Sequence, residues 1–175
     1  VVVMNPEDEG VFKKEWGNGP LDMGADIVVA GGEKRWMSCR EGVSASDPEL
    51  EMVLVHDAAR PLLSPELVHR VWTATLEHEA AFAANPVPDS LYFTENGRVT
   101  FEGIDRENLW AAQTPQIFPR DVLMDAHRQP DITTTDDASL VERMGHPVHV
   151  YFGSYSNIKV TTREDVLMAE TLLAR

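Results

Sequence analysis

A carboxylate and a guanidinium stand three positions apart directly behind an apolar run. Met52-Val53-Leu54-Val55-His56 leads into Asp57, and Ala58, Ala59, Arg60 and Pro61 follow. A carboxylate is a hard oxygen ligand that suits Mg²⁺, and a guanidinium suits phosphate or a structural carboxylate. A turn aspartate or helix cap with its own salt bridge fits the same spacing, because aspartates are common at such turns.

Three other places carry polar groups in informative surroundings. Gly31-Gly32-Glu33-Lys34-Arg35, with Ser38 beyond, either lets backbone approach a ligand closely or is a turn into a helix. Lys159 lies between Ile158 and Val160, so in a strand its ammonium either faces solvent on an edge or meets an anion. Thr133-Thr134-Thr135-Asp136-Asp137 either caps a helix or offers hydroxyls and amides to phosphate, with capping alone the simpler role. The six histidines are scattered, and His146 and His149 lack the spacing and neighbours of a zinc site.

The elements that must position these groups alternate in type. Val1 to Met4 predicts a strand, and Asn5-Pro6-Glu7-Asp8 a helix start with a capping side chain, a first-turn proline and acids at the positive end of the dipole. Strands are predicted over 26–30, 52–56, 80–87, 149–152 and 158–160, and helices over 37–43, 119–127 and 137–144, the last ended by Gly145. Ser64-Pro65-Glu66 opens a helix whose Val68, Val71, Trp72 and Thr75 share a face, and Thr162 with Asp165 makes a capping box for the final helix. Tyr92, Phe93, Val99 and Phe101 flank Asn96-Gly97, a strong hairpin signal that predicts a projecting two-stranded arm. The alternation indicates an α/β domain with a largely parallel sheet covered on both faces. Ligands of such sheets sit at the carboxyl ends of the strands, which points to Gly31-Gly32, His56-Asp57 and the Lys159 region.

Composition narrows the partners. At 175 residues, 43% hydrophobic and 25% charged, the chain suits one compact globular domain. A net charge of −14 argues against general nucleic-acid binding, since an acidic surface repels phosphate backbones. The sequence has no run of 18 apolar residues, and Val1-Val2-Val3 leads into Asn5, Pro6 and acids, so neither a membrane span nor a signal-peptide core is expected. Cys39 is the only cysteine, which excludes an internal disulfide and fits a reducing cytoplasm.

Several of these segments, in order, resemble one family. HDAARP (His56 to Pro61), GGEKRWMS (Gly31 to Ser38), PVPDS (Pro86 to Ser90), DRENLWAAQTPQIF (Asp105 to Phe118), TDDASLVE (Thr135 to Glu142) and NIKVTTREDV (Asn157 to Val166) are similar to motifs of the 2-C-methyl-D-erythritol 4-phosphate cytidylyltransferases. The resemblance implies a Rossmann-like nucleotidyltransferase three-layer sandwich, α/β, with a mostly parallel sheet and a β-hairpin dimerisation arm. It implies a single domain over residues 1–175, with residues 91–110 forming the arm and a following substrate-binding segment. The implied reaction joins CTP to the sugar-alcohol phosphate, with Mg²⁺ and no covalent enzyme intermediate, in a cytoplasmic homodimer.

Carried over by position, the resemblance assigns Asp57 to metal and substrate binding. Gly32, Glu33, Ser38 and Ala58 line the cytidine site, and Arg60 orders the adjacent loop. Arg106 and Lys159 hold the sugar phosphate, joined by Thr135 and by Ser90, which stands where the family usually has threonine. Family members begin with a strand and a Gly-rich loop bearing an arginine and a Pro-Lys pair, which this sequence lacks, so an N-terminally incomplete domain is expected. Tyr92 stands where a lysine is common. The competing expectations are a ribitol-5-phosphate cytidylyltransferase and a non-catalytic nucleotide-binding or assembly module.

Overall fold

The computed structural model describes residues 1–17, 19–22, 24–100, 104–130, 132–133 and 135–174. In chain order the elements are β1 (Val2–Met4), a 3₁₀ turn (Pro6–Asp8), α1 (Glu9–Trp16), α2 (Gly19–Asp22), β2 (Val28–Ala30), α3 (Arg35–Ser44), β3 (Met52–Val55) and α4 (Pro65–His78). There follow β4 (Ala81–Pro86), β5 (Thr94–Glu95), β6 (Arg98–Val99), β7 (Trp110–Pro119), α5 (Arg120–Ala126), α6 (Asp137–Arg143), β8 (His149–Phe152) and α7 (Arg163–Leu173).

Local chemistry explains where several of these begin and end. Asn5 Oδ1 accepts from the Glu7 amide at 3.2 Å, which starts the first helical turn. Ser64 Oγ accepts from the Leu67 amide at 3.2 Å with Pro65 as the first helical residue of α4. At α7 the Thr162 hydroxyl accepts from the Asp165 amide at 3.2 Å while the Asp165 carboxylate accepts from the Thr162 amide at 2.8 Å. Four donors' worth of open helix end are partly satisfied in this way. Gly145, at φ +84°, takes the left-handed conformation that stops α6.

Four strands form one sheet in the order β3-β7-β4-β8. β3, β4 and β8 run in one direction, but β7 lies between β3 and β4 and is antiparallel to both, so within this sheet the parallel ladder is the one between β4 and β8. Three of the four strands thus share one direction, as expected of a mostly parallel sheet, and the reversed strand between them, β7, is one that apolar periodicity did not predict. β1 and β2 pair in parallel as a separate ladder, Val2 opposite Val28. A cleft of about 670 Å³ is lined by Val1 to Val3 on one side and by Met52 to Val55 on the other.

Strand alternation divides the core between two faces. Ile117, Ala81 and Ala83 face Leu67, Val71 and Ala74 of α4. Phe118 turns the other way, onto Val43 of α3, Leu123 and Ala126 of α5, and Leu140 and Val141 of α6. Helices thus cover both sides of the sheet in three layers. Each such fully buried Leu, Ile or Phe side chain contributes about 1.5–3 kcal/mol. The buried stripe of α4 is Leu67, Val71, Ala74 and Thr75; Trp72, expected on that face, is 39% exposed. The stripe is rotated because small Ala74 lets the helix approach the sheet where an indole would hold it off.

Residues 158–160, expected as a strand, are an irregular connection. The Val160 amide donates to the Ala59 carbonyl at 2.7 Å, so the segment lies against the loop after β3 without joining a ladder. The hairpin is present in minimal form. Asn96 and Gly97 have φ of 50° and 78°, as the tight mirror-image turn requires. Tyr92, Phe93 and Val99 are 56%, 60% and 53% exposed, while Phe101 falls outside the described residues.

Candidate active site

The carboxyl end of β3 delivers Asp57 to the cleft wall, beside Ala58 and opposite Arg35 and Ser38. Its backbone amide donates to Thr114 Oγ1 at 3.0 Å. Arg35 Nε donates to Asp57 Oδ1 at 3.1 Å, Lys159 Nζ lies 3.1 Å from Oδ2, and Arg60 Nε lies 3.7 Å from Oδ2. Burial works to raise the Asp57 pKa, but the Arg35 and Lys159 cations outweigh it and hold the carboxyl below its ordinary range. Spacing alone left Asp57 and Lys159 each open between an ordinary and a ligand-binding role; here they form one ion pair at the cleft wall.

Arg60 ties this loop to its neighbours. Its Nη1 donates to the Asn157 carbonyl at 2.8 Å and its Nη2 reaches the Ala112 carbonyl at 3.4 Å. Burial draws its pKa down, partly offset by Asp57. The loop of Lys159 is fixed in turn by Asn157, whose Nδ2 donates to the Thr114 carbonyl at 2.8 Å and to Gln113 Oε1 at 3.3 Å.

Close approach, not a left-handed backbone, requires glycine at position 32 and makes the fit tight at Gly31, where the Ser38 hydroxyl would have to turn away. A Cβ on Gly31 would stand 2.5 Å from Ser38 Oγ, and one on Gly32 would stand 2.4 Å from Met37 Cβ, distances no real contact allows. Ser38 Oγ accepts from the Gly32 amide at 3.2 Å. Glu33 follows in the exposed bend before α3. Gly32, Ser38, Asp57, Ala58, Arg60 and Lys159 therefore belong to one end of the fold.

Arg106, Ser90 and Thr135 are exposed, and none of them is among the ion-pair partners of Asp57, which are Arg35, Arg60 and Lys159. The Arg106 guanidinium donates to the Pro88 carbonyl. Among the capping residues of the 133–137 segment, Asp136 is the N-cap of α6, its Oδ1 accepting from the Ser139 amide at 3.2 Å; Thr134 lies outside the described residues.

Sequence reasoning missed a buried chain of polar groups behind Asp57. Arg35 Nη1 donates to Asp137 Oδ2 at 2.7 Å, and Asp137 Oδ1 accepts from His127 Nε2 at 2.9 Å. Asp137 works against burial, yet His127 and Arg35 hold its pKa below the ordinary range. The Arg35 pKa is likewise opposed by burial and raised by Asp137 and Asp57. Cys39 approaches the same carboxylate, and burial pushes its thiol pKa up, so it stays protonated. Cys39, His127 and Asp137 are close enough to hold a metal, but a thiol kept protonated beside a carboxylate is a poor metal ligand.

A family model described as 2-C-methyl-D-erythritol 4-phosphate cytidylyltransferase matches residues 1–175. The chain belongs to this family. A relative of that name from Caldanaerobacter subterraneus subsp. tengcongensis is 37% identical, the match covering 100% of this chain and 78% of the relative. Another, from Pelotomaculum thermopropionicum, is 44% identical over 83% of this chain and 63% of its own length. The crystal structure of 4-diphosphocytidyl-2C-methyl-D-erythritol synthase from Anaerococcus prevotii superposes with a TM-score of 0.83 at 31% identity, covering 99% of this chain and 77% of the other. This cytidylyltransferase fold carries no helix, among the described residues, long and apolar enough to cross a membrane.

Proposed function

We propose that the protein transfers a cytidylyl group from CTP to 2-C-methyl-D-erythritol 4-phosphate. The products are 4-diphosphocytidyl-2-C-methyl-D-erythritol and pyrophosphate, in the non-mevalonate route to isoprenoid precursors. A substrate phosphate oxygen forms a bond to the α-phosphorus of CTP as the bond to the bridging oxygen breaks, and the β- and γ-phosphates leave together. The observation that carries the reading is the convergence of Arg35 and Lys159 on Asp57 at the cleft wall, in a chain of this family.

Asp57 suits Mg²⁺, because that ion is commonly bound by one or two carboxylates together with substrate phosphates. When bound, the metal neutralises charge on the phosphates. Gly32, Glu33, Ser38 and Ala58 form the cytidine side, and Arg60 keeps the Asp57 loop against β7. Lys159, with Arg106, Thr135 and Ser90, receives the sugar phosphate. Arg106 arrives from a second copy of the chain through the arm, whose exposed Tyr92, Phe93 and Val99 need a surface to pack on. The reaction takes place in the cytoplasm, where the lone Cys39 stays reduced.

The test is to incubate the purified protein with CTP, Mg²⁺ and either 2-C-methyl-D-erythritol 4-phosphate or ribitol 5-phosphate. Pyrophosphate release and product mass are followed. Transfer to the methylerythritol substrate is expected. Turnover of ribitol 5-phosphate alone, or nucleotide binding with no transfer to either, would overturn it.

A further inference from the structure

We propose that Asp137, a carboxylate with no place among the substrate-facing groups, is a positioning residue that divides Arg35 between two carboxylates and so sets how Asp57 is presented to the cleft. The proposal rests on the reading of Asp57 as the charged centre of the transfer site.

One guanidinium spans two acids from different elements. Arg35, the first residue of α3, gives its Nε to Asp57 Oδ1 at 3.1 Å and its Nη1 to Asp137 Oδ2 at 2.7 Å. The two acids are unequal. Asp137 is 0% exposed, and its other oxygen accepts from fully buried His127, so it cannot exchange Arg35 for water. Asp57 lies at the cleft and has Lys159 as a second cation. The buried acid is the anchor, and the one at the cleft is the one whose partners can change.

The anchor is itself held. Gln116 of β7 donates from Nε2 to Asp136 Oδ2 at 3.3 Å and accepts at Oε1 from the Ala138 amide at 3.1 Å. The residues on either side of Asp137 are therefore fastened to the central strand. A fork with donors in fixed geometry can bridge two acids only while both are present. Without Asp137, the fork is released to close on Asp57 with both arms, the strongest arrangement for an arginine and a carboxylate. Asp57 would then have less of its charge left for Lys159 and for a metal.

A purely structural ion pair would alter stability and nothing else, which separates the two roles. In Asp137→Asn the expected change is a fall in kcat of about 10–100-fold, the range typical for losing an outer hydrogen-bonded partner of a functional group, with the KM for CTP moved less than about twofold because the loss falls on the transition state. Arg35→Lys, which keeps the charge but cannot bridge both acids, is expected to do the same, and the double variant to be no worse than either single one. The arginine Nε–H resonance that disappears in Arg35→Lys should shift in both Asp137→Asn and Asp57→Asn in ¹⁵N NMR spectra of the protein without substrates.

An unmoved Arg35 resonance in Asp137→Asn overturns the inference. So does a lowered melting temperature with unchanged kinetic constants. If Asp137→Asn fails to fold, Arg35→Lys decides by its kcat alone. The resonance is read without turnover, so an inactive wild-type protein would sink the functional reading while the NMR comparison still decides this one.

Discussion

Asp57→Asn keeps the shape of the side chain and removes one negative charge that faces three cations. The Asp57 amide bond to Thr114 is unaffected, so the loop keeps its backbone anchor. What is lost is the charge opposite Arg35 and Lys159, both at 3.1 Å, and Arg60 at 3.7 Å. Hydrogen bonds to charged groups contribute about 1.5–3 kcal/mol each when well formed. Arg35 and Lys159 are 33% and 44% exposed, so water screens both pairs and replaces much of each; the total is taken at the low end, about 2 kcal/mol. For a chain of this size that lowers the melting temperature by roughly 4–8 °C.

The effect on turnover is larger. Removing one electrostatic contact made in the transition state costs about 10²–10³-fold in kcat. The assay is initial-rate pyrophosphate release across a Mg²⁺ titration, run beside thermal unfolding. The acid limb of stability should change too. A carboxylate whose pKa is held down contributes stability that is fully present above its ordinary value of 3.8 and is lost as pH falls through the lower folded-state value; the variant lacks that contribution. Near-normal kcat with an unchanged Mg²⁺ requirement would refute the assignment of Asp57.

Lys159→Ala is expected to raise the KM for the sugar phosphate more than that for CTP, and equal effects would move Lys159 to the nucleotide side. Asp137→Ala removes one partner of a buried pair and should cost about 3–5 kcal/mol in urea unfolding; a midpoint near wild type would mean that Arg35 and His127 find other partners. Thr162→Ala removes the N-cap of α7 and should cost about 1 kcal/mol with kcat unchanged, so a kinetic effect would show that this helix start reaches the site. Mixing Arg106→Ala chains with Asp57→Asn chains should restore some activity, because one of the two sites in a heterodimer then holds both intact residues. No recovery after subunit exchange has been confirmed by mass would place Arg106 in its own subunit's site.

What could be read from the sequence was what is decided locally. The starts of α4 and α7, the Asn96-Gly97 turn and the strand before Asp57 each depend on residues within a few positions of one another. β7 was not readable because its inner positions are Gln113, Thr114, Pro115 and Gln116, polar or proline residues that break an apolar pattern. They are tolerated in the core because Gln113 binds Ser154 and Asn157, Thr114 binds His56 and Asp57, and Gln116 binds the start of α6. Every one of those partners is remote in the chain. The same distance hid the anchor of Arg35, since Asp137 lies 102 residues away and looked like a capping acid.

The segment His56 to Pro61 divides its labour in a way that follows from the hydrogen bonds. The Arg60 carbonyl near His56 Nε2, at 3.0 Å, can only accept, so Nε2 carries the proton and donates. On the other side of the ring Nδ1 meets the Thr114 hydroxyl at 3.0 Å. That hydroxyl oxygen remains open to accept from the Asp57 amide. One imidazole and one hydroxyl thus close the loop on itself and fasten it to β7, while the Arg60 guanidinium fastens it to the loop of Lys159. His56 is therefore spent on holding the backbone, and Asp57 is the one member of the segment whose side chain is left facing cations at the cleft. A histidine beside a candidate catalytic aspartate invites a role in proton transfer, but both of its nitrogens are committed to keeping that aspartate still.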